Sequence, residues 1–253
     1  MNTFFISSPL EQFEVFEFIG IHSMFGLNLD LTNLGLYAVV VTGVLVAVHQ
    51  LSVNSQRIVP SRWSVALESA QTSLHSMVKE SIGSTNEQYL PFIYSMFFFV
   101  LLGNLFGNVP YSFAITSSVM VCMGLSVTIF LGVTILAVAK HGWKFATFFL
   151  PAGTPTALVP LLVVIEMVSY VSRAFSLGIR LFANIVAGHA LLNILSGMIY
   201  KIMCSGIIAA VLSIIPLVIF VALVGLELAV SLIQAFVWVT LVSSYIHDAE
   251  YLH

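Results

Sequence analysis

The sequence predicts an all-α integral membrane protein: transmembrane helices, one amphipathic helix lying in the interface, and two long, strongly tilted helices. Three observations predict it. Of the 253 residues, 59% are hydrophobic and only 8% are charged, whereas soluble domains carry about 25% charged residues. Apolar runs such as Met96-Phe-Phe-Phe-Val-Leu-Leu102 sit in stretches long enough to cross a bilayer. Two further stretches near the C-terminus are about twice that length. The formal net charge of −3 says little by itself, because where the charges sit matters more than their sum.

The elements follow in order as one membrane domain, 1–253. Residues 1–8 lack the basic start and long apolar stretch of a secretory signal, which leaves a short removable leader open. Residues 9–31 mix acids (Glu11, Glu14, Glu17, Asp30) with aromatics and contain no lysine or arginine. A first span is expected at 34–53, then a polar loop with Asn54, Arg57, Pro60 and Arg62. Across 61–83 the apolar residues Trp63, Leu67, Ala70, Leu74, Met77, Val78 and Ile82 recur at helical spacing. Glu68, Gln71, His75, Lys79 and Glu80 fall between them, so this helix lies along the interface rather than crossing it, and Gly83 is a stop signal.

Spans at 90–110 and 116–139 are joined by Pro110-Tyr-Ser-Phe-Ala-Ile115, enough for a hairpin only. A loop at 140–157 carries Lys140, His141, Lys144 and the breaker Pro151-Ala-Gly-Thr-Pro155. The stretch 158–200 has no proline after Pro160. Some 40 helical residues would be about 60 Å long, roughly twice the hydrocarbon thickness. Either the chain turns back near a glycine or one helix is tilted well beyond the usual ~20°. Tilt is favoured, because Gly178, Gly188 and Gly197 have no polar turn around them. The last stretch, 205–246, poses the same problem, with Pro216 as a kink.

On this layout Arg57, Arg62, Lys79, Lys140 and Lys144 share one side, and Lys201 falls on the other. The basic side is the matrix or cytoplasm, and the C-terminus emerges there. Cys122 and Cys204 lie in apolar stretches and read as small buried hydrophobes rather than ligands or a disulfide. No metal or cofactor is expected.

Ionisable residues at bilayer depth are costly and by default mark an ion pathway. The last two stretches hold Glu166, Arg173, Arg180, His189 and Glu227, with Asp248 at the exit; His49 lies near the end of the first span. Glu166, Arg173 and Arg180 are seven apart and share nearly one helix face, which Asn184 joins one turn later. His189, nine residues past Arg180, points roughly the opposite way. Glu227, Gln234 and Asp248 are likewise spaced by multiples of seven. Two packed helices with such stripes can enclose wet paths.

Ser176, Ala183, Asn184 and Ala187 beside Arg180 let another helix approach. No acid lies one turn from Arg180 within its own helix; unless it is paired elsewhere in this chain, its counter-charge is a carboxylate on another subunit. A guanidinium stays protonated in any environment, so it suits a fixed charge that never relays protons.

Blander readings stand beside these. An intramembrane Arg/Glu pair can be structural; Arg173 and Gln234 can be packing or hydrogen-bond partners; His189 can be a helix contact and Asp248 a solvated helix end. His22, His75, His141 and His253 read as wet surface residues. A secondary transporter would show matching halves, and none is found. A haem subunit needs facing deep histidines, and only His189 is deep. A structural scaffold leaves five buried ionisable residues unexplained. The Gly-x-x-x-x-Gly-Lys-Ser/Thr phosphate loop is absent from the sequence.

The run Ser172-Arg-Ala-Phe-Ser-Leu-Gly-Ile-Arg180-Leu-Phe-Ala-Asn184-Ile-Val-Ala-Gly-His189 resembles the signature of subunit a of the F-type ATP synthases. So do His141-Gly-Trp, Pro151-Ala-Gly-Thr-Pro155, Val159-Pro-Leu-Leu, Leu226-Glu227-Leu-Ala and Gln234-Ala-Phe-Val-Trp238. The ending Tyr245-Ile-His-Asp248-Ala-Glu-Tyr-Leu-His253 is similar to the mitochondrial version in fungi.

The resemblance implies two long tilted helices curving around a ring of c-subunits, each with one membrane-embedded carboxylate. It implies a proton-translocating stator subunit with two aqueous half-channels, not catalytic alone. Arg180 matches the essential arginine, and Asn184 and Gln234 its polar neighbours. His189 and Glu227 match the half-channel pair on the intermembrane side, where bacterial relatives tend to carry an acid and a histidine instead. Glu166 and Asp248 match acidic positions of the matrix half-channel; Arg173 lies in the same signature.

The implied partners are the c-ring, peripheral stalk subunits, other membrane-sector subunits, lipid and protons, with no nucleic acid. The implied location is the mitochondrial inner membrane, N-terminus in the intermembrane space and C-terminus in the matrix. The start Ser8-Pro-Leu-Glu-Gln-Phe-Glu14 resembles a mature yeast-type N-terminus, which would make 1–7 a cleaved leader.

Overall fold

The computed structural model describes residues 11–19, 31–52, 60–109, 112–142, 145 and 158–251. The expected leader at 1–7, the breaker at Pro151–Pro155, and Arg57, Lys144, His22 and His253 lie outside these residues. The helices are α1 (Asn33–Ser52), α2 (Arg62–Ile82), α3 (Leu90–Gly107), α4 (Val119–His141), α5 (Val159–Cys204), α6 (Ile207–Leu212) and α7 (Ile214–Glu250). Five stretches are long and apolar enough to cross a membrane: Asn33–Ser52, Glu87–Gly107, Val119–His141, Val159–Met203 and Ile207–Glu250. The protein is therefore an all-α, multi-pass membrane protein. A two-stranded antiparallel ladder, β1 (Glu17–Ile19) with β2 (Leu31–Thr32), adds an element the sequence did not signal.

Local chemistry explains the helix ends. The Ser61 hydroxyl accepts the Ser64 N–H at 3.2 Å and caps α2. Leu74, Val78 and Ile82, spaced by four, are buried on one face of α2, and Glu68, Thr72 and Ser76 face outward. Gly83 ends the helix at φ 93°, a conformation in which a side chain would be strained.

Helix α5 is unbroken over 46 residues. Pro160 sits in its first turn, where a missing N–H is harmless, and the helix runs straight through Gly178, Gly188 and Gly197. That removes the alternative in which the chain turns back near a glycine. The turn comes instead at Ser205-Gly206, with Gly206 at φ 148°. Pro216 acts one turn before its own position: it cannot donate to the Leu212 carbonyl, and the helix breaks at Ser213, between α6 and α7.

Contacts divide the chain into two compact units. The first comprises Met1–Leu45, Phe99–Ser118 and Leu181–Gln234; the second comprises Val46–Phe98, Val119–Arg180 and Ala235–His253.

In the first unit the end of α3 is covered by the following turn, where Phe113, Ala114 and Ile115 are buried. Gly107 permits this fold-back, since a Cβ there would come within 2.6 Å of Ala114 Cβ. Leu181 and Ile185 of α5 complete the apolar part. The side chain of Asn33, at the start of α1, donates to the Glu14 carbonyl at 3.1 Å, and its backbone N–H donates to Phe16 O at 3.0 Å. These bonds fasten the 11–19 segment.

In the second unit Cys122, Ser126, Ile129, Val133 and Ala137 form one buried stripe of α4. It packs closely on α5 because Gly178 has no side chain: a Cβ there would stand 3.0 Å from the Cys122 carbonyl oxygen. The Ser126 hydroxyl donates to the Ala174 carbonyl across the same contact. Trp238, Val239, Val242 and Ile246 of α7 are buried, and Thr240 Oγ1 lies 3.3 Å from Met77 Sδ of α2. His49 of α1 is hydrogen-bonded to the Tyr94 hydroxyl at 3.0 Å and meets the Phe98 ring edge-on. Cys122 is buried, but Cys204, expected to be buried too, is exposed beside the α5–α6 turn.

Candidate functional site

Two groups of polar residues occupy the helices, one in each unit. In the first unit α5 carries Asn184 and His189, and α7 carries Glu227 and Gln234. His189 Nε2 stands 3.6 Å from Glu227 Oε1. That is just beyond a direct hydrogen bond, and both atoms are buried without a partner among the described residues.

The close approach depends on Gly188: a Cβ at that position would come within 2.7 Å of Glu227 Oε1. Further along, Asn184 Nδ2 donates to Gln234 Oε1 at 2.8 Å. A groove of about 340 Å³ runs beside these residues, lined by Asn184, Gly188, Leu191, Leu223, Glu227 and Ser231.

Two asparagines that the sequence reading did not single out join this group, Asn104 from α3 and Asn108 from the turn just after it. Asn108 Nδ2 donates to Ser231 Oγ at 2.9 Å, and Asn104 Nδ2 donates to the Ser231 carbonyl at 3.4 Å. Their carbonyl oxygens, with Ser112 Oγ and Gln234 Nε2, are buried and unpartnered. Buried polar atoms of this kind call for water. The signal in the sequence was a pair of amides four apart, Asn104 and Asn108, in an otherwise apolar span. Phe13, held by the fastened N-terminal segment, meets the His189 ring edge-on with centroids 6.1 Å apart.

In the second unit Arg173 stands between two acids. Its Nη1 is 3.2 Å from Asp248 Oδ2 and its Nη2 is 3.9 Å from Glu166 Oε1. The seven-residue spacing of Glu166 and Arg173 thus becomes a contact on α5, and α7 supplies the second acid. All three side chains are about one-third exposed, so the group is open to the outside of the chain rather than sealed within it. A cavity of about 20 Å³ adjoins Arg173, Asp248, Tyr170 and Tyr245, room for one water. Tyr170 hydrogen-bonds Thr134 at 2.9 Å.

Two residues that the sequence left aside flank Asp248. His247 Nδ1 is 3.8 Å from Asp248 Oδ1. Glu250 is buried, accepts the Tyr89 hydroxyl at 2.7 Å and is paired with Lys140. His141, expected as a wet surface residue, donates to the Ala249 carbonyl at 3.1 Å and so helps fix the end of α7.

Arg180 is the exception to all this pairing. It is exposed on α5 and makes no hydrogen bond or ion pair with any described residue. Ser176, Ala183 and Ala187 around it are exposed as well. Tyr245 lies within electrostatic reach of both Arg173 and Arg180. Among the described residues no group of three or more His, Cys, Asp or Glu is arranged to hold a metal ion.

Comparison with known proteins fits this geometry. The sequence profile of the family described as ATP synthase A chain matches residues 35–247. A protein of Mycosarcoma maydis named ATP synthase subunit a is 56% identical over 198 residues, 78% of each chain. The Neurospora crassa protein of the same name is 48% identical over 199 residues, 78% of this chain and 76% of its own. That of Saccharomyces cerevisiae is 43% identical over 256 residues, 100% of this chain and 98% of its own. With five stretches long and apolar enough to cross a membrane and a match across most of its length, the chain belongs to the ATP synthase A chain family, that of ATP synthase subunit a.

Proposed function

We propose that this chain is the proton-translocating stator subunit of the membrane sector of a mitochondrial F-type ATP synthase. It has no ATP chemistry of its own and works with a ring of c-subunits, the peripheral stalk and other membrane-sector subunits. It lies in the inner membrane with the N-terminus in the intermembrane space and the C-terminus in the matrix. The observation that carries this reading is Arg180. A guanidinium on a 46-residue apolar helix, with no carboxylate of its own chain beside it among the described residues, needs a counter-charge from elsewhere. The carboxylate of a passing c-subunit supplies it.

The path then runs as follows. A proton enters at the Glu227–His189 pair and neutralises a ring carboxylate. The neutral site tolerates lipid, so the ring rotates. On its return the site meets Arg180, which favours the charged form, and the proton leaves by the Glu166–Arg173–Asp248 group. In chain order along α5, Arg180 falls between the two groups and keeps them from exchanging protons directly. Each elementary charge crossing the potential gains about 2.3 kcal/mol per 100 mV, so several protons serve each ATP.

The length of α5 fits such a role: 46 residues make a helix about 70 Å long against a hydrocarbon layer of about 30 Å. Strong tilt accommodates it and lays the exposed Arg180 face along the ring. The test is proton flux through the assembled complex carrying Arg180→Ala or Arg180→Lys, with assembly checked on native gels. Loss of coupled pumping in both is expected, and normal ATP-coupled pumping in Arg180→Ala overturns the reading.

A further inference from the structure

We propose that His247 is the terminal proton carrier of the Asp248 path, passing protons between Asp248 and bulk water. The proposal rests on the reading of Glu166, Arg173 and Asp248 as a proton path. It goes further in naming a residue and a chemistry for the last step.

Asp248 divides its two oxygens. Oδ2 faces the Arg173 guanidinium at 3.2 Å, and Oδ1 faces His247 Nδ1 at 3.8 Å. A proton held on Oδ1 is therefore turned away from the fixed cation and toward the imidazole. The His247 side chain is 42% exposed and that of Asp248 is 32% exposed, so the imidazole is accessible from outside the chain. An imidazole takes up and gives up protons at neutral pH through two different nitrogens, and 3.8 Å is closed by a small ring rotation or one water.

The balance is simple. The proton leaves Asp248 Oδ1 for the lone pair of Nδ1, giving a carboxylate and an imidazolium. The imidazolium releases the proton on Nε2 to water. Exchange with water restores the starting tautomer.

The geometry is held from several sides. The Tyr251 ring lies 5.1 Å from the His247 ring, centroid to centroid. Glu250, paired with Lys140 and hydrogen-bonded by Tyr89, fastens the next residue pair, and His141 bonds Ala249. Among the described residues, the charged and titratable groups at this end of the unit are thus Asp248, Glu250, Tyr251 and Tyr245 on and after α7, Glu166, Tyr170 and Arg173 on α5, Lys140 and His141 on α4, and Tyr89.

The test uses inner-membrane vesicles containing the assembled complex, with ATP-driven proton pumping as readout. His247→Gln, with assembly intact on native gels, lowers the rate about tenfold or more. Imidazole added to the medium restores it, whereas the same concentration of an inert salt does not. An unchanged rate in His247→Gln overturns the proposal. So does a loss that imidazole fails to restore, which makes His247 a packing residue only. Asp248→Asn is the second arm: pumping is lost there and imidazole does not bring it back. Normal pumping in Asp248→Asn sinks the path itself and the proposal with it, while lost pumping in Asp248→Asn beside normal pumping in His247→Gln sinks only the proposal.

Discussion

Gly188 of α5 and Glu227 of α7 are fitted to one another: a methyl group at position 188 would stand 2.7 Å from Glu227 Oε1. The carboxylate that faces His189 at 3.6 Å does so in space that only glycine leaves open.

Gly188→Ala is therefore expected to displace the carboxylate without unfolding the helices, since the atom in the way is the tip of a side chain. On the proposed function, a misfit of about 1–3 kcal/mol at the Glu227–His189 pair is expected to lower pumping by roughly tenfold. Adding Glu227→Asp, whose shorter side chain vacates that space, restores part of the rate. Vesicle pumping assays of the single and double variants check both expectations.

Two other glycines of the same helix give opposite forecasts. At Gly178 a Cβ would press within 3.0 Å of the Cys122 carbonyl oxygen and 3.1 Å of Ser126 Cβ. Backbone gives little, so Gly178→Ala costs about 1–3 kcal/mol and lowers the thermal midpoint of the solubilised complex. At Gly197 nothing lies within 4 Å, and Gly197→Ala leaves the midpoint unchanged or raises it slightly through helix propensity.

Arg173 is the common partner of Glu166 and Asp248, so its removal leaves two acids around one vacated position. Arg173→Gln is expected to lower complex stability by about 0.2–1 kcal/mol, the range of partly exposed ion pairs, and to slow pumping. Arg173→Lys keeps a cation there and retains more of both. The ordering wild type, Lys, Gln in thermal melts and flux assays is the check; equal behaviour of Lys and Gln contradicts the shared-partner role.

The buried Glu250 ties the last turn of α7 to Lys140 and Tyr89. Glu250→Ala strands the Tyr89 hydroxyl at about 1–3 kcal/mol. Lys140→Met leaves a buried carboxylate without its cation, which costs more. Hydrogen exchange of the amides of residues 247–250 is expected to speed up in both, most in Lys140→Met.

Much of this was written in the residues. Composition alone requires membrane helices, and the seven-residue spacing of Glu166 and Arg173 anticipates their contact, because it is a property of one helix. The pairs His189–Glu227 and Asn184–Gln234 are different. They depend on how far α5 and α7 slide past each other, which periodicity does not encode; only the resemblance to a known family pointed to them.

His247 was passed over because adjacent helical residues normally diverge, and the proximity of Nδ1 to Oδ1 is a matter of rotamers. Glu250 reads as a solvated terminal acid until Lys140 and Tyr89 arrive from distant parts of the chain. Gly178 and Gly188 offered only an absence of turn signals, while their role lies in what the neighbouring helix places opposite. Pro216 was a legible breaker, but the break appears at Ser213 because the lost bond belongs to the carbonyl four residues earlier.

The two-residue turn at Ser205-Gly206 has a consequence for biogenesis. A connection so short is expected to bring α5 and the α6–α7 segment into the bilayer together, as one helical hairpin. A lone charge at mid-bilayer adds about 2.5–3.5 kcal/mol to insertion. In a hairpin, Glu227 and His189 enter on facing helices, so neither polar side chain enters alone. The Gly206 backbone, at φ 148°, therefore bears on membrane entry: a substitution there strains the turn that joins the two helices and is expected to slow integration of the C-terminal half of the chain.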